Sequence, residues 1–417
     1  MQFGFIIQVI GIIFIEREVR MRIDRTHLDC IQQVLDDATS SNTFAGCSAL
    51  VFHKGAEVGY YESGMADIAR QRKFSRSTIC RFYSMTKVIT AVAAWQLIER
   101  GKLELTENIA RYIPSFAHLK VQSGDKIVDC NTPITVQDLL NMTSGYSYGG
   151  TQDEAHRAMM NFIVQLGEET AKGNQPTTAE CARKIASVPL GFVPSTSFEY
   201  GVSADILGAV IEEVSGMTLG EYFKKNIFTP LEMCDTGFFV EEGKRERLAE
   251  LYGYDQDGNL QLRKEGILGI INYPFSSPAF ESGGAGLLGT IDDYMKICRM
   301  LNNAGELKGA RILYPATVRA IATLSISKEL TKVFTKNHPT LSGYTYGNLT
   351  RHLIDESSSK TITAHTGEFG WDGWTGTYMA VDPENELSIV FFTQIADNGG
   401  YTQTARRVRN VIYSALY

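Results

Sequence analysis

The chain has no Cys-x-x-Cys pair and no His-Glu-x-x-His segment. Its seven cysteines, at positions 30, 47, 80, 130, 181, 234 and 298, are odd in number and scattered, and its seven histidines are equally dispersed. The common zinc spacings are therefore excluded, and no disulfide framework is offered. The expectation is a cytoplasmic protein with reduced thiols, no metal and no cofactor. Positive charge is not concentrated either: 40 Lys and Arg face 47 Asp and Glu, a net charge of −7, so nucleic acid is not an expected partner. There is no internal repeat and no low-complexity tract, which removes solenoid and disordered classes. Only one long apolar run exists, MQFGFIIQVIGIIFI at the start. It is shorter than the roughly 20 residues a spanning helix needs. It also lacks the basic n-region and small-residue cleavage site of a secretory signal. Residues 1–21 are thus expected to be an apolar leader or a misassigned start upstream of Met21, without stable membrane association.

What the chain does have is ordinary globular composition. With 417 residues, 44% of them hydrophobic, it is long enough for a large core and two subdomains. Residues 22–42 carry Leu28, Ile31 and Leu35 at helical spacing, predicting one amphipathic helix. Two strand-like runs around His53-Lys54-Gly55 predict a hairpin. Residues 101–240 read as helices joined by long loops, with capping boxes at Thr135/Asp138 and Thr218/Glu221. Residues 250–285 read as strands and loops, and 290–305 as a helix. A second hairpin is predicted around Asp382-Pro383-Glu384-Asn385, followed by a last helix. Strands at both ends with helices between imply an α/β fold: one sheet built from 22–100 and 250–417, and a mainly helical part over 101–249.

Chemistry is concentrated in RFYSMTKVITAVAAWQLIERG, residues 81–101. Beyond Lys87 this run is apolar until its last turn and stops at Gly101, the pattern of a buried helix. Ser84 opens it, and Lys87 lies three residues on, on the same face. A serine hydroxyl needs a neighbouring base to attack, and a lysine among apolar groups loses basicity enough to serve. The Ser-x-x-Lys spacing occurs four times, at Ser84, Ser123, Ser325 and Ser357. Only Ser84 opens a long apolar helix. The alternative for this pair is a helix cap beside a solvated charge.

Four stretches, in order, bear on that choice: FYSMTKVITA (82–91) itself, ITVQDLLNMTSGYSYG (134–149), FEYGVSADILGAVIEEVSG (198–216) and GEFGWDGWTGTYMAVDP (367–383). Together they resemble the serine β-lactamase and penicillin-binding protein superfamily across about residues 25–415. Within it the chain is most similar to class C β-lactamase-like esterases, the family VIII carboxylesterases. The resemblance implies a β-lactamase/transpeptidase-like fold, an antiparallel sheet flanked by helices beside an all-helical domain, with the active site between them. It implies Ser84 as acyl-forming nucleophile, Lys87 as proton acceptor and Tyr200 as a third member of the relay. It implies an oxyanion hole from the backbone N–H groups of Ser84 and Trp374. Trp371, Asp372, Gly373, Tyr146 and Tyr148 would contact substrate, and His365 would lie behind them.

Two departures matter. Val202 stands where class C lactamases have the Asn of Tyr-x-Asn, and Trp371-Asp372-Gly373 stands where lactamases and peptidases have Lys-Thr-Gly. Both remove groups that would bind a lactam or a carboxylate. The expected activity is hydrolysis of small, short-chain esters through an acyl-serine. Alternatives are a β-lactamase, a D-amino-acid peptidase or transpeptidase, an acyltransferase, and a catalytically silent sensor.

Overall fold

The computed structural model describes residues 21–359, 364–396 and 402–417. The expectation for the apolar leader falls on residues 1–20 and lies outside them. The central element is an eight-stranded sheet. Its strands are β1 (Gly46–His53), β2 (Ala56–Asp67), β3 (Arg72–Lys73), β4 (Tyr344–Gly347), β5 (Thr350–Leu353), β6 (Phe369–Asp372), β7 (Tyr378–Asp382) and β8 (Leu387–Thr393). The spatial order is β4-β5-β6-β7-β8-β1-β2-β3, with every pair antiparallel. The two halves of the chain therefore meet where β8 pairs with β1. The β1–β2 turn runs through Lys54 and Gly55, both with positive φ.

β8 is buried at every position and β1 at all but one, so both faces of the sheet are covered. The register shows by what. Ser48, Leu50 and Phe52 share a face with Phe392, Val390 and Ser388, and helix Ile291–Asn302 lies there, its Asn302 donating to Ser388 Oγ at 3.1 Å. Cys47 and Ala49 share the opposite face with Ser63 and Tyr61, where Ser63 donates to Asp36 of helix Cys30–Ser40 at 2.6 Å. Helix Gln403–Ser414 packs against Cys30–Ser40.

Both predicted capping boxes are present, at Thr135/Asp138 and at Thr218/Glu221. The single helix predicted over 22–42 is two pieces, Arg25–Leu28 and Cys30–Ser40, interrupted at Asp29, which accepts a bond from Tyr61 OH at 3.2 Å. The mainly helical stretch contains a hairpin, Leu119–Ser123 with Lys126–Cys130, turning through Gly124 at φ +57°. Ser123 sits at that turn, as its Ser-Gly-Asp context indicates. The surface helix that the LSISKELTK stretch suggests is present as Lys328–Asn337, whereas helix Pro315–Thr323 and the β4–β5 hairpin are not among the predicted elements.

Candidate active site

The Ser84 helix begins as a tight 3-10 turn, Tyr83–Met85, and continues as an α-helix over Thr86–Glu99. Every residue from Thr86 to Leu97 is buried, which a helix apolar on all sides requires. The turn itself is fixed to the sheet. Phe82 packs edge-on against Tyr294 at 4.9 Å and against Phe392 of β8 at 5.6 Å, and Tyr294 OH donates to Met85 O at 2.8 Å. Tyr83 adopts φ +45°, a left-handed conformation unfavourable for a bulky side chain. Its buried ring, 5.0 Å from Trp374, accompanies that geometry immediately before the serine.

The end of β6 is brought against the same turn. A Cβ on Gly373 would stand 2.2 Å from Phe82 O, so only glycine allows this approach. Thr375 Oγ1 donates to Arg81 O at 3.1 Å and Thr377 Oγ1 to Phe82 O at 3.2 Å. The turn after β6 is closed by Gly373 N–H to Thr377 O and Gly376 N–H to Gly373 O, each 2.8 Å, neither of which uses the Trp374 N–H.

Lys87 is fully buried beneath the serine. Its Nζ lies 3.1 Å from Ser84 Oγ, 2.9 Å from Tyr148 OH and 2.7 Å from Gly284 O. Burial lowers its pKa to about 7, against the opposing pull of Asp205 and Asp372. Tyr200 lies just before helix Ser203–Ser215. Its hydroxyl accepts from Trp371 Nε1 at 2.9 Å, and its ring lies 4.8 Å from Lys87 Nζ. Burial pushes the Tyr200 phenol well above its ordinary range, although Ser84 and Trp371 oppose that rise. Beside it, His156 bridges Asp153 at 2.7 Å and Glu199 at 2.8 Å, tying helix Glu154–Ala171 to the Tyr200 segment.

These groups face a cavity of about 380 Å³. Tyr83, Ser84, Tyr148, Tyr200, Trp371, Asp372 and Trp374 line it on one side, with Ile267, Leu268, His338, Thr340 and Leu341 from two loops on the other. Burial raises the Asp372 carboxyl to about 6, opposed by Arg351 and Lys87.

Two sequence expectations are corrected. Tyr146 does not reach the cavity: it is buried in the core, 6.2 Å from the Phe116 ring. Its neighbour two residues on, Tyr148, points the other way and takes the contact with Lys87. His365 is exposed and lies 3.6 Å from Glu356, away from the serine, because the turn before β6 carries it to the surface. Val202, at the position of the missing Asn, is buried at the start of the Tyr200 helix rather than in the cavity wall.

The sequence reading also missed a group. Asp205 is buried and accepts from Ser282 Oγ and from Gly284 N at 3.0 Å, so it holds the loop whose Gly284 carbonyl receives Lys87. Its signal was the glycine pair in ESGGAG. A Cβ on Gly283 would meet Ala204 O at 2.5 Å, and one on Gly284 would meet Asp205 Oδ2 at 2.7 Å. Among the described residues no cluster of three or more His, Cys, Asp or Glu is arranged to hold a metal ion, and no helix is long and apolar enough to cross a membrane.

A serine turn pinned to one face of an antiparallel sheet, with a lysine buried under it, is the arrangement of β-lactamase-fold serine hydrolases. The chain belongs to the β-lactamase family, whose profile, described as Beta-lactamase, matches residues 30–413. It is similar to Esterase EstB of Burkholderia gladioli, 27% identical over 400 residues that cover 92% of this chain and 94% of that protein. Among solved structures it is similar to EstCE1, described as a hydrolase with promiscuous acyltransferase activity, at 25% identity and a TM-score of 0.78, covering 93% of this chain and 99% of that one. Unliganded selenomethionyl simvastatin synthase LovD from Aspergillus terreus shares the fold, with a TM-score of 0.76 at 20% identity over 94% of this chain and 98% of that one.

Proposed function

We propose that the protein hydrolyses small, uncharged carboxylic esters through an acyl-enzyme on Ser84. The observation that carries this reading is the 3.1 Å contact between Ser84 Oγ and a buried Lys87 whose pKa is lowered to about 7. A neutral amine at that distance can take the serine proton. Tyr200, held protonated by burial, is the weaker candidate for that first transfer and the better one for the next.

The steps balance as follows. The Ser84 proton passes to Lys87 Nζ as Oγ bonds to the ester carbon. The carbonyl oxygen becomes an oxyanion facing the backbone N–H groups of Ser84 and Trp374. Collapse breaks the bond to the alkoxy group, which takes the Tyr200 proton while Tyr200 regains one from Lys87. Water then repeats the sequence in reverse and releases the acid.

Substrate choice follows from the cavity wall. Trp371 presents an apolar ring where lactamases and peptidases present a lysine, and its only N–H is engaged by Tyr200. Asp372 adds a carboxylate to the same wall, unfavourable to a substrate carboxylate. Both features support uncharged esters over penicillins, cephalosporins or peptide C-termini. EstB and EstCE1 are described as an esterase and a hydrolase, which agrees with this reading. Transfer of the acyl group to an alcohol would use the same intermediate, and the description of EstCE1 includes it.

The test is a panel of p-nitrophenyl acetate, p-nitrophenyl butyrate and nitrocefin with wild type and Ser84→Ala. Loss of the nucleophile is expected to lower kcat by on the order of 10⁶ without loss of fold. A fluorophosphonate should add its mass at Ser84. Nitrocefin outperforming the acetate by kcat/KM would replace this reading with a lactamase. A faster turnover on adding a small alcohol, with ester product formed, would favour acyl transfer.

A further inference from the structure

Three cavities share lining residues in sequence, beginning at the serine. The first is the 380 Å³ cavity that contains Ser84. Tyr83 and Ala285 on its wall also line a second void of about 20 Å³. Phe238 and Pro278 line that second void and also a third, of about 920 Å³. The small void has room for about one water molecule and so does not pass a hydrocarbon chain. Its surroundings are nonetheless apolar, with Ile270, Pro274, Phe280 and Leu287 among them. The large cavity has an apolar part formed by Phe239, Val240, Met233 and Met217, and charged side chains, Glu212 and Glu281 among them, line the rest.

One side chain stands at the junction. The Phe238 ring is buried and stacks on Phe223 at 5.9 Å with an interplanar angle of 20°. Its other side rests on Gly286, where a Cβ would come within 2.8 Å of the ring. Gly286 directly follows Ala285 on the serine cavity wall. The ring is thus wedged between the helix carrying Phe223 and the loop that borders the active site.

We propose that Phe238 is a chain-length gate, closing an apolar passage that would otherwise lead the acyl chain of a substrate from Ser84 into the 920 Å³ cavity. This deepens the ester-hydrolase reading and rests on it. The acyl chain is the occupant, because it stays attached to Ser84 through both steps, whereas the alcohol must leave to solvent between them. In the closed arrangement the enzyme is confined to acyl chains that fit the 380 Å³ cavity. With the ring removed, chains of eight to ten carbons, about that length, gain an apolar site.

The experiment compares the full-length wild type with Phe238→Leu and Phe238→Ala on p-nitrophenyl esters from acetate to decanoate. Phe238→Leu keeps apolar bulk should Phe238→Ala fold poorly, and circular dichroism reports on both. The wild type is expected to lose roughly tenfold or more in kcat/KM between butyrate and decanoate, and the variants to recover about as much on decanoate with acetate little changed. Decanoate turned over by the wild type as well as acetate would show that nothing is gated and overturn the proposal. Variants with intact acetate turnover and no gain on decanoate would overturn it too. A gain confined to acetates of longer alcohols would assign the passage to the alcohol, against the proposal. If no ester is turned over at all, the hydrolase reading fails separately, and calorimetry with decanamide, which carries no charge, decides the passage. Saturable binding gained in Ser84→Ala/Phe238→Leu over Ser84→Ala supports the gate, and its absence overturns it.

Discussion

In the proposed reaction Lys87 sets the pH at which the site can work. Burial brings its pKa to about 7, so the amine is protonated below that pH and cannot accept the Ser84 proton. kcat/KM for p-nitrophenyl acetate is therefore expected to rise as pH increases through about 7 and to level off above it, after correction for spontaneous hydrolysis. A profile flat from pH 5 to 9 would separate Lys87 from the chemistry. The same geometry couples Lys87 to Tyr200, whose ring lies 4.8 Å from Lys87 Nζ. Lys87→Ala and Tyr200→Phe should each lower kcat by several orders of magnitude, with little further loss when combined, because they serve one relay. Strictly additive losses would assign them to independent steps. Their titration belongs to the pair rather than to either residue.

At the scale of the elements, the proposed oxyanion site requires the end of β6 to meet the turn before Ser84 closely enough for two backbone N–H groups to face one oxygen. Gly373 makes that approach possible, because its missing side chain leaves room for Phe82 O. Gly373→Ala is expected to push β6 from the serine turn. Overpacking costs about 1–3 kcal/mol in stability, while a displacement of ~1 Å at the site can cost about a hundredfold in kcat. Kinetics beside a urea melt would show the disproportion. A variant with near-normal kcat would mean that the β6 end is not part of the oxyanion site. The glycine pair at 283 and 284 works in the same way on the other side, letting the loop that receives Lys87 lie directly on the Tyr200 helix.

Across the whole molecule, the edge of the sheet and the last helix are joined by one buried ionic network. Glu368 is fully buried and accepts from Arg351 at 3.2 Å, from Arg409 at 3.1 Å and from Tyr344 OH at 2.6 Å. These partners lie on β5, on helix Gln403–Ser414 and on β4. Burial alone would raise the Glu368 pKa, but Arg409 and Arg351 prevail and hold it below the usual carboxylate range. Its contribution to stability is therefore present at neutral pH and is lost as pH falls through that depressed value. Glu368→Ala removes the carboxylate that faces two buried guanidinium groups and is expected to cost about 3–5 kcal/mol, read as a lower denaturant midpoint. A loss below about 1 kcal/mol would show that the network relaxes to water.

The sequence by itself determined the local devices and the chemistry they carry. Ser84 and Lys87 share a face because both sit in the first turns of one helix, and that helix is buried because apolar residues lie on all its sides. The capping boxes at Thr135 and Thr218 and the hairpin through Lys54-Gly55 were legible because each depends on residues a few positions apart. Tertiary structure alone decided what depends on distant partners. Tyr146 and Tyr148 are two residues apart in a tyrosine-rich loop, and only the packing of that loop sends one to the core and the other to Lys87. His365 was expected behind the substrate-contacting residues, yet the turn before β6 leaves it at the surface. Asp205 reaches the site through Gly284, 79 residues away along the chain. Phe238 becomes a barrier only where Gly286 and Phe223 close on its two sides. Periodicity records which way a residue faces within its own element, whereas the neighbour it meets is set by long-range packing, which no local pattern encodes.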